Sequence, residues 1–162
     1  MNNLIRERKG MLILSLLVIL LPMGVGLFLW NQLPDQVPIH FGLNGQADNY
    51  AGKAFVVFGL PLLMAALQVL LLVVTMADPK GKNIAAKPFG LLLWICPLVS
   101  LFCGTMTYAK ALALPVDINL VGGLFLGLMF LVVGNYLPKC KQTYTVGIRL
   151  PWTLADEDNW AY

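Results

Sequence analysis

Residues 11–30 read MLILSLLVILLPMGVGLFLW, an apolar run with no charged side chain. A helix rises about 1.5 Å per residue, so about 20 residues cross the roughly 30 Å hydrocarbon core of a bilayer. Three further uncharged runs follow, at 54–76, 89–109 and 118–137. Lipid offers no partner to backbone polar groups, so segments of this kind must span as helices. The overall composition agrees: 59% of the residues are hydrophobic and only 12% charged, against about 25% charged in ordinary globular domains.

The expected fold is therefore an all-α integral membrane protein with four transmembrane helices. Punctuation falls between the runs. Asn31-Gln32-Leu33-Pro34 ends the first and Asp78-Pro79 the second, Pro88 suits a first helical turn, Asp117 can cap the fourth helix and Pro138 ends it. A cleaved signal peptide would also place Arg6, Arg8 and Lys9 before an apolar run. This run is too long for that, and Gly24-Val25-Gly26-Leu27 is not a small-residue cleavage site.

Orientation follows from where the eleven Lys and Arg residues fall. Segment 1–10 holds Arg6, Arg8 and Lys9; loop 77–88 holds Lys80, Lys82 and Lys87; segment 138–162 holds Lys139, Lys141 and Arg149. Loops 31–53 and 110–117 hold only Lys53 and Lys110. Basic loops stay in the cytoplasm, so both termini are expected inside. Trp30 and Tyr108 at the outer ends of spans, and Tyr136 at an inner end, fit aromatic belts.

The spans carry no Asp, Glu, Lys, Arg or His, whereas ion-coupled transporters and voltage sensors place such groups there. Gln68 is the one long polar side chain deep in a run, and a bond to a neighbouring helix is its simplest role. Pro22, Pro61 and Pro97 are expected to kink three helices. Gly122, Gly123 and Gly127 permit close helix approach in the fourth, which leaves homo-oligomerisation open. Cys96 and Cys103 suit core packing, and with Cys140 they offer no disulfide framework.

Loop 31–53 has too many structural signals for a linker. Val37, Ile39 and Phe41 favour extended backbone, and Asn44-Gly45 is a strong hairpin signal. A turn on that pair sets Phe41 opposite Asp48 and His40 opposite Asn49. His40, with only Asp35 and Asp48 nearby, lacks the donors for a zinc shell and reads as a hydrogen-bonded structural histidine. No metal or cofactor is expected. The candidate ligand-binding set on this loop is His40, Phe41, Asn44, Asp48 and Lys53.

Beyond the fourth run, Tyr144, Val146, Ile148, Leu150, Trp152 and Leu154 recur at every second position, a pattern of extended backbone with one apolar face. Thr153 then reads as the N-cap of a helix whose first turn holds Asp156, Glu157 and Asp158. An interfacial anchor and a docking surface for a cytoplasmic partner both fit. Arg149 suits a carbonyl or carboxylate cluster, because its planar fork makes paired contacts that lysine cannot. No catalytic triad, Walker loop or dinucleotide fingerprint is present, so no enzymatic role is expected. The basic residues follow topology rather than one patch, which disfavours nucleic acid as a partner.

Two motifs carry a family resemblance. Leu33-Pro34, Val37-Pro38-Ile39-His40-Phe41, Gly45, Asp48 and Lys53 resemble the N-terminal domain of unknown function in SdpI-like proteins. Gly134-Asn135-Tyr136-Leu137-Pro138-Lys139, Tyr144 and Gly147-Ile148-Arg149-Leu150-Pro151-Trp152-Thr153-Leu154, continued by Glu157 and Trp160, resemble that family's second signature. The resemblance implies a bacteriocin immunity protein of the bacterial cytoplasmic membrane, with the lipid bilayer and a secreted peptide toxin as partners. It makes Asn135, Tyr136, Gly147, Arg149, Pro151, Trp152, Thr153, Glu157 and Trp160 the candidate cytoplasmic site. Relatives continue into further spans where this chain stops at Tyr162; a truncated chain and a short family member both fit.

The charge asymmetry is directly testable. Gln46→Cys should react with an impermeant thiol reagent on intact cells, while native Cys140 reacts only after permeabilisation. The opposite pattern overturns the orientation.

Overall fold

The computed structural model describes residues 6–155 and 157–160. Four long helices dominate: α1 (Lys9–Phe28), α2 (Leu60–Met76), α3 (Ala86–Ala111) and α4 (Ile118–Tyr136). Between α1 and α2 lie β1 (Gln36–Phe41) and β2 (Ala47–Gly52), and a π-helical turn, Phe55–Gly59, leads into α2. Two short helices, α5 (Pro151–Ala155) and α6 (Glu157–Trp160), close the chain. The four long apolar segments are each long enough to cross a membrane. α3 outruns the apolar stretch that marks it and takes in Lys87 and Lys110 at its ends; long basic side chains there can reach the interface.

α1, α2 and α3 form the packed body. Along the α1–α3 seam, Ser100 Oγ donates to the Ile19 carbonyl (2.9 Å) and Tyr108 OH to the Pro22 carbonyl (2.9 Å). Between them Gly104 lies against Pro22, and Gly26 lies under Tyr108. Positions 19, 22 and 26 thus meet 100, 104 and 108, one helical turn at a time. The numbers rise together, so α1 and α3 run parallel, as first and third crossings must. Gln68 donates to the Leu93 carbonyl at 3.4 Å, and Leu72 clusters with Phe89, Leu92 and Leu93. That opposite order makes α2 antiparallel to α3. Tyr108, expected at the headgroup level, is instead a buried strut, because its hydroxyl has a carbonyl within reach.

α4 stands apart. None of its residues is buried, and Gly123 and Gly127 have open space where a side chain would lie. Its best-defined contact with the body is the stack of Phe125 on Phe102, with ring centroids 4.1 Å apart.

The body has an apolar cluster at each end. At one end Leu33, Val37, Val56, Val57 and Tyr108 pack together under the hairpin. At the other, Leu72, Ile84, Phe89, Leu92 and Leu93 pack with Val146 of the chain that follows α4. The two ends are called the hairpin end and the motif end below.

The hairpin pairs His40 with Asn49, but Phe41 meets Ala47 rather than Asp48. The turn is the reason. The Gly45 N–H donates to the Gly42 carbonyl (2.9 Å), so Leu43 and Asn44 are the central residues. Gly45 follows them at φ +73°, while Asn44 has negative φ. A type I′ turn on Asn44-Gly45 would need positive φ at both. Asp48 is left as a bulge beside His40.

At the motif end the alternation from Tyr144 to Leu154 gives no ladder: residues 144–147 bend, and 148–150 are irregular. The helix expected behind a Thr153 cap begins two residues earlier, at Pro151. Thr153 Oγ1 reaches back to accept the Leu150 N–H at 2.9 Å, the return arm of a capping box. Asp156 and the side chains of Glu157 and Asp158 lie outside the described residues.

The seam predicts a sharp contrast between two glycines. A Cβ on Gly26 would sit 2.5 Å from the Tyr108 hydroxyl and 2.8 Å from Val57, whereas one on Gly24 meets nothing within 4 Å. Gly26→Val should cost about 1–3 kcal/mol by overpacking, read as a lowered Tm of the detergent-solubilised protein. Gly24→Val should leave Tm far less changed. Equal effects would remove the seam from the account of stability.

Candidate functional site

At the hairpin end the five candidate residues occupy three stations. Lys53 sits at the base. Its N–H donates to the Asp35 carbonyl (3.0 Å), its ammonium lies 3.2 Å from Asp35 Oδ1, and it stands 5.2 Å over the Trp30 ring. Trp30 in turn meets Phe58 at 5.9 Å between centroids. With Val37 fully buried beneath, these contacts pin the hairpin to the body.

In the middle of the hairpin, His40 Nδ1 lies 2.5 Å from Asp48 Oδ1, both side chains being well exposed. The bulge at Asp48 turns its carboxylate toward the histidine. Phe41 is half-buried one step further out. Asn44 is at the tip, where its Oδ1 accepts the Gln46 N–H at 3.1 Å. The tip in turn meets α4: Asn119 Nδ2 donates to the Leu43 carbonyl at 2.9 Å. Asp117 caps α4 by accepting the N–H groups of Asn119 and Leu120, both at 3.0 Å. The hairpin therefore reaches from the buried body out to the first turn of the peripheral helix. Asp35 and Asn119 complete this arrangement, Asp35 through Lys53 at the base and Asn119 through a contact from α4 to the tip.

At the motif end a polar junction holds the irregular chain. Asp78 Oδ2 accepts the Tyr144 N–H (2.9 Å) and the Thr145 hydroxyl (2.7 Å), while Oδ1 accepts the Lys80 N–H (2.8 Å). Gln142 is nearly buried. Its Nε2 donates to the carbonyls of Thr153 (2.9 Å) and Leu154 (3.0 Å), its Oε1 accepts from Lys80 Nζ, and its carbonyl accepts from Asn83 Nδ2 at 3.0 Å. Thr143 Oγ1 accepts the Val146 N–H and donates to the same residue's carbonyl. In the sequence Asp78 marks only the end of the second run, and Gln142 and Thr143 carry no signal of their own. The available signal was a lone acid, Asp78, inside a basic loop.

Of the second-signature residues, Thr153 bonds to this junction directly, and Arg149 and Trp160 bond to the segment it holds. Gly147 has φ +122°, a conformation other residues rarely adopt, and a Cβ there would lie 2.4 Å from the Trp160 ring. Trp160 Nε1 donates to the Cys140 carbonyl at 2.7 Å. Arg149 Nη1 donates to the Tyr144 carbonyl at 2.9 Å, so its described partner is a carbonyl. Lys139 stands 5.2 Å over the Tyr136 ring. Pro151 opens α5, and Asn135 is exposed on α4. Trp152 remains 60% exposed, beside exposed Ile148. Together with Leu137, Pro138 and Trp160 they line a hollow of about 520 Å³. Burial pushes the Cys140 thiol up from its ordinary value, so its thiolate forms, and alkylation proceeds, at higher pH than for an open cysteine.

Helices of this length and composition, joined by a hairpin at one end and a tied motif at the other, make this a multi-pass membrane protein. Residues 17–65, from α1 through the hairpin into α2, match the family model described as domain of unknown function DUF1648. Immunity protein SdpI of Bacillus subtilis (strain 168) is 26% identical over 152 residues, covering 91% of this chain and 70% of that protein. The two matches together support an SdpI-like family for the chain. No solved structure matches.

Asp78 carries the test of the junction. Asp78→Ala leaves the Tyr144 N–H and the Thr145 hydroxyl without their acceptor, a loss of about 1–3 kcal/mol per stranded group. Trypsin should then cut faster after Lys139 and Lys141 in the detergent-solubilised protein, with Asp78→Asn intermediate. Cleavage at the wild-type rate in Asp78→Ala would show that the junction does not hold the motif.

Proposed function

We propose that this chain is a bacterial cytoplasmic-membrane immunity protein, with the hairpin end outside and both termini inside. The SdpI relative supports an immunity role in general, and with it a non-enzymatic one. The finer reading is that the chain protects by binding a secreted membrane-active peptide at the hairpin end. One observation carries it. The hairpin is fastened at its base and tip, yet His40, Asn44 and Asp48 remain open to solvent on it. A rigid platform with exposed polar groups and a lipid-facing helix beside it suits a peptide that works at the membrane surface, because little ordering entropy is lost on binding.

A second reading has its own support. The hydrogen-bonded junction ties loop 77–85 to residues 142–154, which suits a sensor that passes hairpin occupancy to a cytoplasmic partner. Passive transport is disfavoured by the absence of ionisable groups deep in the spans.

Gly45→Val separates these readings from a purely structural hairpin. A β-branched residue at φ +73° costs about 1–3 kcal/mol of local strain, so protection of a sensitive host against candidate peptides should fall while membrane insertion persists. Full protection at matched membrane levels would sink the hairpin reading. Arg149→Lys and Trp152→Ala then decide between binding and relay. Direct binding predicts near-normal protection from both, whereas a relay loses it in both, more severely in Trp152→Ala.

A further inference from the structure

Leu43 is completely exposed at the hairpin tip, at 101% of its reference area. A lone exposed leucine is ordinary on a soluble protein; the position of this one is not. Its carbonyl is bonded to Asn119 Nδ2 at 2.9 Å, and a Cβ on neighbouring Gly45 would lie 3.4 Å from the same nitrogen. The tip is thereby held at the first turn of α4. One residue on, α4 begins its lipid-facing surface, with Leu120 at 60% and Leu124 at 67% exposure. The polar cap Asp117 and the apolar Leu120 bracket the membrane boundary, and Leu43 is held at that level.

Turn chemistry does not ask for a leucine there. The first central position of this turn tolerates most residues, and the rest of the tip is polar: Asn44, Gln46 and Asp48. We propose that Leu43 is a membrane-interface anchor, inserting among the headgroups and upper acyl chains of the hairpin-side leaflet. Burial of an apolar group at the interface then fixes the tip of the hairpin, as Val37 fixes its base in the body. The partner is the lipid surface itself. This assignment needs only that α4 crosses the bilayer, and stands whether or not the hairpin binds a toxin.

A nitroxide label on Leu43→Cys tests it, with Cys96, Cys103 and Cys140 replaced by Ala and the protein in phosphatidylcholine–phosphatidylglycerol nanodiscs. Collisions with oxygen, which partitions into lipid, are compared with those of a water-soluble nickel chelate. Labels on Gln46→Cys and Leu124→Cys give the water and lipid references. The Leu43 label should favour oxygen, with nickel collisions several-fold below those at Gln46. A Leu43 label that tracks Gln46 overturns the anchor. So does one shielded from both reagents, which would mean that protein covers the tip. With the native cysteines in place, Leu43→Ser should also speed hydrogen exchange of residues 40–48 in nanodiscs, and unchanged exchange counts against the anchor equally.

Discussion

Backbone N–H and C=O groups removed from water need partners, and a buried group left without one costs several kcal/mol. The four spans meet this demand internally by being helical. Outside the helices it has to be met segment by segment, and each solution places one of the two candidate elements. The hairpin closes its own ladder between residues 36 and 52. The chain after α4 has no strand to pair with, so side chains supply its acceptors and donors: Asp78 for Tyr144, Gln142 for Thr153 and Leu154, Arg149 for Tyr144. A charged carboxylate is a strong acceptor. One well-placed Asp can therefore fold a stretch that would otherwise be free.

Association of the helices has a different basis. Lipid tails are as apolar as leucine, so close packing and carbonyl-directed hydrogen bonds bring helices together. α1 and α3 have both along one seam, where Gly26 and Gly104 allow contact and Ser100 and Tyr108 supply donors. On α4, Gly123 and Gly127 meet no partner surface among the described residues, and its polar side chains lie at its two ends, Asn119 in the first turn and Asn135 and Tyr136 in the last. Small residues permit approach without causing it. That distinction explains why Gly123 and Gly127 lie in open space while Gly26 and Gly104 are filled against.

Much of this was legible in the sequence because it is local. Run length and lack of charge mark the spans, and Asn44-Gly45 marks the hairpin. The turn slipped because Asn-Gly serves two turn types. As the central pair of a type I′ turn it sets one register; as the end of a type I turn with Gly45 in the left-handed region it sets another. The alternation from Tyr144 to Leu154 misled for a related reason. Period two describes a strand only where a second strand is present to pair. What could not be read was tertiary. Asp78 lies 66 residues from Tyr144, and Asn119 lies 76 from Leu43. The candidate residues Lys53 and His40 share a loop but serve different stations, Lys53 at the base just past Gly52 and His40 opposite Asn49 midway along β2.

The hairpin and the motif are at opposite ends of the bundle, so any communication between them must pass along a helix. The α1–α3 seam is interlocked turn by turn, and moving it would break several contacts at once. α4 is different: its middle faces lipid apart from the Phe102–Phe125 stack. Its first turn is bonded to the hairpin tip through Asn119, and the segment leaving its last turn carries Cys140, whose carbonyl holds Trp160. A load on the tip is thus applied to the element with least packing to lose. Coupling requires an element with two accessible arrangements that both sites can bias. α4 meets the mechanical half of that requirement, being joined to both ends and lightly held between them, which makes it the physical basis on which a relay from hairpin to motif would have to operate.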